Sequence, residues 1–174
     1  MVLKGKKVML RSHRLSDAPT YVKWFNDPEV HKFIFVREMN LKEERKWIRN
    51  VKKDKFKHNF AIETKEGILI GSVGIDILSK RDSRGSFGII IGEKEYWSKG
   101  YGTETTRLVL DYGFKKLKLN RIELGVFEYN KRAIQVYKKM GLKLEGKLRD
   151  HITWKGKFYS TLMMAILKRE WENK

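Results

Sequence analysis

The stretch YWSKGYGTETTRLVLDYGF, residues 96–114, places two glycines and several small hydroxyl residues directly before a long apolar-periodic run. This stretch is preceded by three apolar residues that predict the end of a buried strand, Ile89, Ile90 and Ile91. Residues 92–102 then predict a loop, and residues 103–117 a helix with Val109, Leu110, Phe114 and Leu117 facing inward. The first N–H groups of a helix have no intrahelical partner, and glycine lets an anion approach them closely. This order of strand, glycine loop and helix predicts phosphate binding.

Two common phosphate-binding motifs do not fit this loop. A P-loop requires GxxxxGK followed by Ser or Thr, and a dinucleotide fingerprint requires GxGxxG, whose third glycine position is Thr105 here. Residues 97–102 instead resemble the pyrophosphate-binding motif of the GNAT acetyltransferase superfamily, Q/R-x-x-G-x-G/A. Trp97 stands in the Gln/Arg position. This YWxKGYG form resembles a branch that contains ribosomal-protein N-terminal acetyltransferases and spermidine acetyltransferases.

Three further stretches extend the resemblance over nearly the whole chain. NKRAIQVYKKMGLKLEG, residues 130–146, resembles the second signature of the family, with Leu142 in place of its usual phenylalanine. WFNDPEV at 24–30 and the C-terminal hairpin at 144–167, turning at Lys155 and Gly156, resemble the same branch. The resemblance implies an α/β fold of the GNAT type, a mixed sheet of about six or seven strands with about four helices. A parallel central pair of strands, splayed to admit the cofactor, requires a crossover helix such as residues 103–117.

The resemblance also implies a site for acetyl-CoA. Backbone groups of Ile90, Ile91 and Gly92 are expected to pair with pantetheine like an extra strand. Asn130 is expected to contact the cofactor arm. Lys99, Lys131 and Arg132 could neutralise CoA phosphates, or simply be solvated surface charges. N–H groups of the loop are expected to hold the pyrophosphate: Trp97, Ser98, Lys99, Gly100, Tyr101, Gly102 and Thr103.

Direct transfer from a thioester to an amine needs a proton donor for the thiolate and an acceptor for the amine proton. The resemblance makes Tyr137 the expected acid, whereas periodicity alone makes it a core tyrosine. The base is open. Gly125 occupies the position where some family members have a glutamate, which leaves three candidates and a chain of water molecules: Asp150, His151 and Glu123.

The acceptor amine is less defined. Asp27 and Glu29 could attract a cationic amine, although both residue types are also common in turns. A protein N-terminus is the first expectation, because a strongly basic enzyme suits work near the anionic ribosome and repels polyamines at long range. Spermidine is the alternative within the enzyme class. A non-catalytic RNA- or ribosome-binding module is the alternative from another class, which the intact loop, Asn130 and Tyr137 argue against.

Composition sets the remaining expectations. The 174 residues carry a formal net charge of +18 and no cysteine, and no linker separates parts of the chain, so one domain is expected. Four scattered histidines show no metal-ligand spacing, so no metal is expected. The N-terminus does not resemble a signal peptide and no run is long enough to span a membrane, so a cytoplasmic protein is expected. Dimers are common in similar proteins, and the apolar run at 162–167 could serve an interface or the core.

Overall fold

The computed structural model describes residues 2–34 and 39–173. Within these residues the chain forms eight strands and six α-helices. The strands are β1 (Leu3–Lys4), β2 (Val8–Arg11), β3 (Lys57–Thr64), β4 (Leu69–Ser79), β5 (Arg84–Ile91), β6 (Arg121–Phe127), β7 (Lys143–Trp154) and β8 (Lys157–Leu167). The helices are α1 (Ala18–Phe25), α2 (Pro28–His31), α3 (Leu41–Val51), α4 (Tyr101–Lys115), α5 (Lys131–Lys139) and α6 (Lys168–Glu172).

The mixed α/β architecture is confirmed, but the predicted numbers of strands and helices were too low. The elements that sequence patterns missed are the short ones: β1, α2 and α6. A strand of two residues is too short to show alternation, and helices of one turn are too short to show a 3.6-residue period. Asn26 ends α1, Asp27 caps α2, and Pro28 occupies the first turn of α2.

The eight strands are ordered β1-β2-β3-β4-β5-β6-β8-β7 in one sheet. The chain divides into two compact units, Met1–Asp76 with Gly88–Val109 and Ile77–Phe87 with Leu110–Lys174. We refer to them as unit 1 and unit 2. None of the helices in the described ranges 2–34 and 39–173 is both long and apolar enough to cross a membrane.

Unit 1 contains an antiparallel series of strands, β1 with β2, β2 with β3 and β3 with β4. A bulge interrupts the last pair, because Ile62 pairs with Gly71 while Glu63 pairs with Leu69. Its aromatic core comes from α1 and α3, whose buried faces include Tyr21, Trp24 and Ile48. This core packs against Ile90 near the end of β5, where the family resemblance implies pantetheine contacts.

Unit 2 contains the predicted parallel pair. Arg84–Ser86 of β5 runs parallel to Arg121–Glu123 of β6, and α4 provides the crossover between these strands. The pairing covers the first residues of each strand, whereas β5 continues to Ile91 and β6 to Phe127. The run at 162–167 lies in β8, which pairs with both β6 and β7, and its Met164, Ala165 and Ile166 are buried. The burial of these three residues supports the predicted core role, and the interface role stays a prediction.

Candidate functional site

The last residues of β5 lie against glycine backbone and an aromatic ring in unit 1. A Cβ at Gly71 would overlap the carbonyl oxygen of Ile90, and a Cβ at Gly92 would overlap the indole of Trp24. The carbonyl of Ile70 accepts the N–H groups of both Gly92 (2.9 Å) and Glu93 (3.3 Å). Glycine is therefore required by close packing where β5 ends.

The hydrogen bonds at this strand end revise the predicted pantetheine contacts. The N–H of Gly92 already donates to Ile70, so it is not available for an extra strand. Backbone groups alternate in direction along a strand, so Ile90 and Gly92 face β4 while Ile91 faces the other side. The carbonyl of Ile91 accepts the indole N–H of Trp97 at 2.7 Å. Of the three predicted residues, Ile91 has the suitable backbone direction.

Trp97 holds the loop to the strand. Besides its hydrogen bond to Ile91, its ring meets that of Phe33 edge-on at 6.0 Å and packs against the unit 1 core. The side chain in the Gln/Arg position of the motif therefore points into the protein. This explains how an apolar residue is accommodated there.

The backbone of the loop turns sharply before α4. Ser98 has φ of 59° and Gly100 has φ of 86°, and the first intrahelical bond runs from Glu104 N to Gly100 O at 3.0 Å. A left-handed conformation at a residue with a Cβ costs about 1 kcal/mol, and such strain concentrates at functional sites. The N–H groups of Tyr101, Gly102 and Thr103 precede this bond and have no intrahelical acceptor. Residues 98–100 are exposed, so an anion can reach the helix end.

Two neighbouring residues that sequence reasoning missed contact this loop. The ammonium of Lys7, in the turn between β1 and β2, donates to the carbonyl of Lys99 at 2.9 Å. The carboxylate of Glu104 accepts backbone N–H groups from the same turn. Lys7 and Glu104 are about a hundred positions apart, and no local pattern reveals such a pair.

The predicted amine-binding acids form an ion-pair cluster in unit 1. Asp27 lies 3.0 Å from the ammonium of Lys94, and Glu29 binds the same ammonium. The hydrogen bond from Lys94 lowers the pKa of Asp27, and the hydrogen bond to Glu29 raises the pKa of Lys94. Glu93 accepts the indole N–H of Trp24 at 2.8 Å and pairs with Lys23 at 3.3 Å. The acids are therefore present, but they already have cationic partners.

Unit 2 contains Asn130 and Tyr137 of the second signature. Asn130 caps α5, because its side-chain oxygen accepts the N–H of Ala133 at 3.2 Å. Its amide nitrogen remains a possible donor. Tyr137 is 7% exposed and its ring meets Phe87 edge-on at 6.1 Å. Burial raises the pKa of Tyr137, so the hydroxyl stays protonated near neutral pH.

The candidate bases lie on β6 and β7. Asp150 and His151 are exposed within a register break between Leu148 and Ile152, and Asp150 has φ of 49°. His151 contacts the hydroxyl of Thr161 through Nδ1 at 2.9 Å. Glu123 instead accepts from Arg121 at 2.8 Å and lies 3.6 Å from Arg84. The carboxylate of Glu123 is therefore already held in ion pairs by two guanidinium groups.

The remaining predicted cations lie on the surface. Lys99 is in the loop itself, whereas Lys131 and Arg132 belong to the first turn of α5 in unit 2. All three are exposed. Their role towards a phosphate stays a prediction.

Comparison with known proteins identifies relatives of this chain. Residues 7–143 match the family model described as an acetyltransferase (GNAT) domain. The chain is 30% identical to "Uncharacterized N-acetyltransferase p20" of Bacillus licheniformis, over 97% of each protein. It is 31% identical to spermidine N(1)-acetyltransferase of Escherichia coli K12, over 68% of this chain and 62% of that protein.

A solved structure matches the fold over nearly the full length. Spermidine N-acetyltransferase from Vibrio cholerae, in complex with CoA and spermine, gives a TM-score of 0.90 at 24% identity. The match covers 97% of this chain and 100% of that one. The arrangement of strands and helices is therefore shared with that enzyme.

Proposed function

The chain belongs to the GNAT family and is an acetyl-CoA-dependent N-acetyltransferase, and we propose that its acceptor is a protein N-terminal α-amine. The observation that carries this proposal is the pairing of Asp27 and Glu29 with one ammonium, that of Lys94. Two carboxylates and one ammonium leave a single net negative charge. This suits one α-ammonium better than a polyamine with several positive charges.

The residues of unit 1 fit the cofactor. Acetyl-CoA, when bound, supplies the thioester that the amine attacks. We assign the pyrophosphate to the N–H groups at the start of α4, because positive φ values at Ser98 and Gly100 open the helix end and residues 98–100 are exposed. We assign pantetheine pairing to Ile91 rather than to Ile90 or Gly92, for the reason of backbone direction given above.

For the proton transfers, we propose that Tyr137 donates to the departing thiolate. Burial keeps its hydroxyl protonated, and no hydrogen-bond partner among the described residues competes for it. Asp150 and His151 remain the proposed bases, since both are exposed and neither is held in an ion pair within the described part of the chain. Glu123 is the weaker candidate because two arginines hold it.

The net positive charge of the chain also favours a protein N-terminus as the acceptor. A chain of +18 repels a polyamine at a distance and attracts the anionic surface of a ribosome, where new N-termini emerge. Ribosome association and a cytoplasmic location therefore belong to this proposal. Co-sedimentation with ribosomes should be lost as salt is raised, because a Debye length falls from about 10 Å at 0.1 M to about 3 Å at 1 M.

A polyamine is the second candidate, because a spermidine acetyltransferase is among the relatives. Under this alternative the cationic substrate would displace Lys94 from Asp27 and Glu29. Removing the Lys94 charge should therefore favour spermidine over a peptide, because the polyamine no longer has to displace an ammonium from the two acids.

The test is CoA release from acetyl-CoA with peptide or spermidine as acceptor, with the product identified by mass spectrometry. The chain has no cysteine, so a thiol reagent gives no background from the protein. We expect acetylation of peptides with a free N-terminus and none of N-terminally blocked peptides. Acetylation of spermidine alone would overturn the proposal.

A Lys94→Met variant, with Lys65→Met at an exposed lysine as control, refines the test. Removing the ammonium frees both acids, so the ratio of spermidine to peptide turnover should rise at least about threefold. The control should leave the ratio unchanged. An unchanged ratio in both variants would exclude Asp27 and Glu29 from the acceptor site.

A further inference from the structure

The turn between β1 and β2 is bound to the first turn of α4 by one carboxylate. Glu104 accepts the backbone N–H groups of Lys6 at 2.6 Å, Lys7 at 2.7 Å and Val8 at 3.1 Å. A carboxylate in this position normally compensates the positive end of the helix dipole. Here its lone pairs are directed to the turn, so the helix end itself remains available to another anion.

Close packing fixes this contact. A Cβ at Gly5 would lie 2.8 Å from Glu104 Cδ and 3.0 Å from Leu108 Cδ1, so the turn approaches α4 more closely than a larger residue allows. The close packing of the turn against α4 therefore fixes the backbone of Lys7, so the position of its ammonium does not depend on the flexible side chain alone.

The ammonium of Lys7 lies at the phosphate loop. It donates to Lys99 O at 2.9 Å, lies 5.7 Å from the ring centroid of Tyr101, and is 3.6 Å from where a Cβ on Gly100 would be. An ammonium has three donors, so two remain after the bond to Lys99.

The ammonium of Lys7 lies at the positive end of the α4 dipole, and the nearby carboxylate of Glu104 is occupied by backbone N–H groups of the turn. Cations are stabilising near a helix C-terminus, not at the N-terminus where Lys7 lies. Within residues 2–34 and 39–173, no carboxylate forms an ion pair with Lys7, in contrast to Lys94, Lys143 and Lys147. A negatively charged group at the helix end would satisfy both the dipole and the ammonium.

We propose that Lys7 binds the pyrophosphate of acetyl-CoA and that Glu104 positions it. The proposal rests on the assignment of the loop at 97–103 to the pyrophosphate, and is independent of the acceptor. It adds a charged contact from the N-terminal turn to the backbone N–H groups at the start of α4.

The test is the Kd for CoA, measured by calorimetry for the intact protein and for Lys7→Ala. Lys6→Ala is the matched control, since Lys6 is exposed in the same turn and its backbone also bonds to Glu104. Both variants keep these backbone bonds, and equal melting temperatures would show that the turn is intact. We expect Lys7→Ala to weaken binding about tenfold and Lys6→Ala less than about twofold.

The same measurement with 3′-dephospho-CoA identifies the phosphate. An equal loss with both ligands supports the pyrophosphate, whereas a loss confined to CoA would place Lys7 at the 3′-phosphate and overturn the assignment. Equal effects of the two alanine variants would overturn any specific role of Lys7. Failure of the unaltered protein to bind CoA would instead overturn the assignment of the loop itself.

Discussion

Replacing Glu44 by glutamine should make the protein more stable at alkaline pH and leave it unchanged at acid pH. Glu44 lies in α3 with 1% of its surface exposed, and its Oε1 has no hydrogen-bond partner among the described residues. Burial raises the pKa of its carboxyl from the ordinary 4.5 to about 7. The folded protein therefore holds this proton more tightly than the unfolded chain.

The sign and size follow from linkage. Below pH 4.5 the carboxyl is protonated in both states, so ionisation has no effect on stability. As pH rises from 4.5 through about 7, the unfolded state ionises first, and folding loses up to about 3 kcal/mol at about 1.36 kcal/mol per pKa unit. Glutamine has no such proton to lose, so the variant should keep this stability.

Urea denaturation of both proteins at pH 5 and pH 8 measures the difference. We expect the variant to be more stable by less than about 1 kcal/mol at pH 5 and by about 3 kcal/mol at pH 8. Burial lowers the pKa of His13 to about 4 and reduces stability on the acid side, but this applies equally to both proteins. Glu95→Gln, at an exposed glutamate, is the matched control for the loss of one carboxyl group. Parallel pH profiles for Glu44→Gln and the unaltered protein would refute the reasoning.

Three other substitutions test the site. Tyr137→Phe should lower kcat about 100-fold at saturating acetyl-CoA with little change in the Kd for CoA, and unaltered turnover would remove its role as acid. Gly92→Ala should lower the free energy of unfolding by about 2 to 4 kcal/mol in urea denaturation, because the added Cβ would overlap the Trp24 ring. Gly88→Ala is the control: its Cβ would meet open space, so the free energy of unfolding should fall by less than about 1 kcal/mol. Glu104→Gln should weaken CoA binding about threefold because the turn is loosened, and tighter binding would mean that Glu104 acts only by repelling phosphate.

Local patterns predicted the elements that have a clear period and a marked end. The helix over 103–117 was predicted from apolar spacing and is observed as Tyr101–Lys115, with Val109, Leu110 and Phe114 buried. The parallel pairing of β5 with β6 was implied by the family resemblance, and the predicted helix between the two strands agrees with it because parallel pairing requires a crossover. Such features depend on residues that are close in the sequence, so a single sequence is enough to recognise them.

Pairings between distant residues could not be predicted in this way. Trp97 appeared as a departure from a motif, yet its indole bonds to Ile91 and packs on Phe33. Asp27 appeared as a candidate for an amine, yet it caps α2 and binds Lys94. In each case the partner is set by the register of strands and loops in unit 1, and the residue type alone is compatible with several partners.

The two lysines near the predicted site show why net charge is a poor guide to function. Lys94 and Lys7 contribute equally to the charge of +18, but Lys94 binds two carboxylates while Lys7 donates to a neutral carbonyl beside the positive end of α4. The charge of Lys94 is already balanced by carboxylates, so a cationic substrate must compete with this lysine for them. The arrangement at Lys7 gains stability when an anion arrives. The excess of positive charge therefore becomes informative only when each ammonium is placed in the structure, and the ammonium of Lys7, which forms no ion pair with the described residues, lies at the loop assigned to the pyrophosphate.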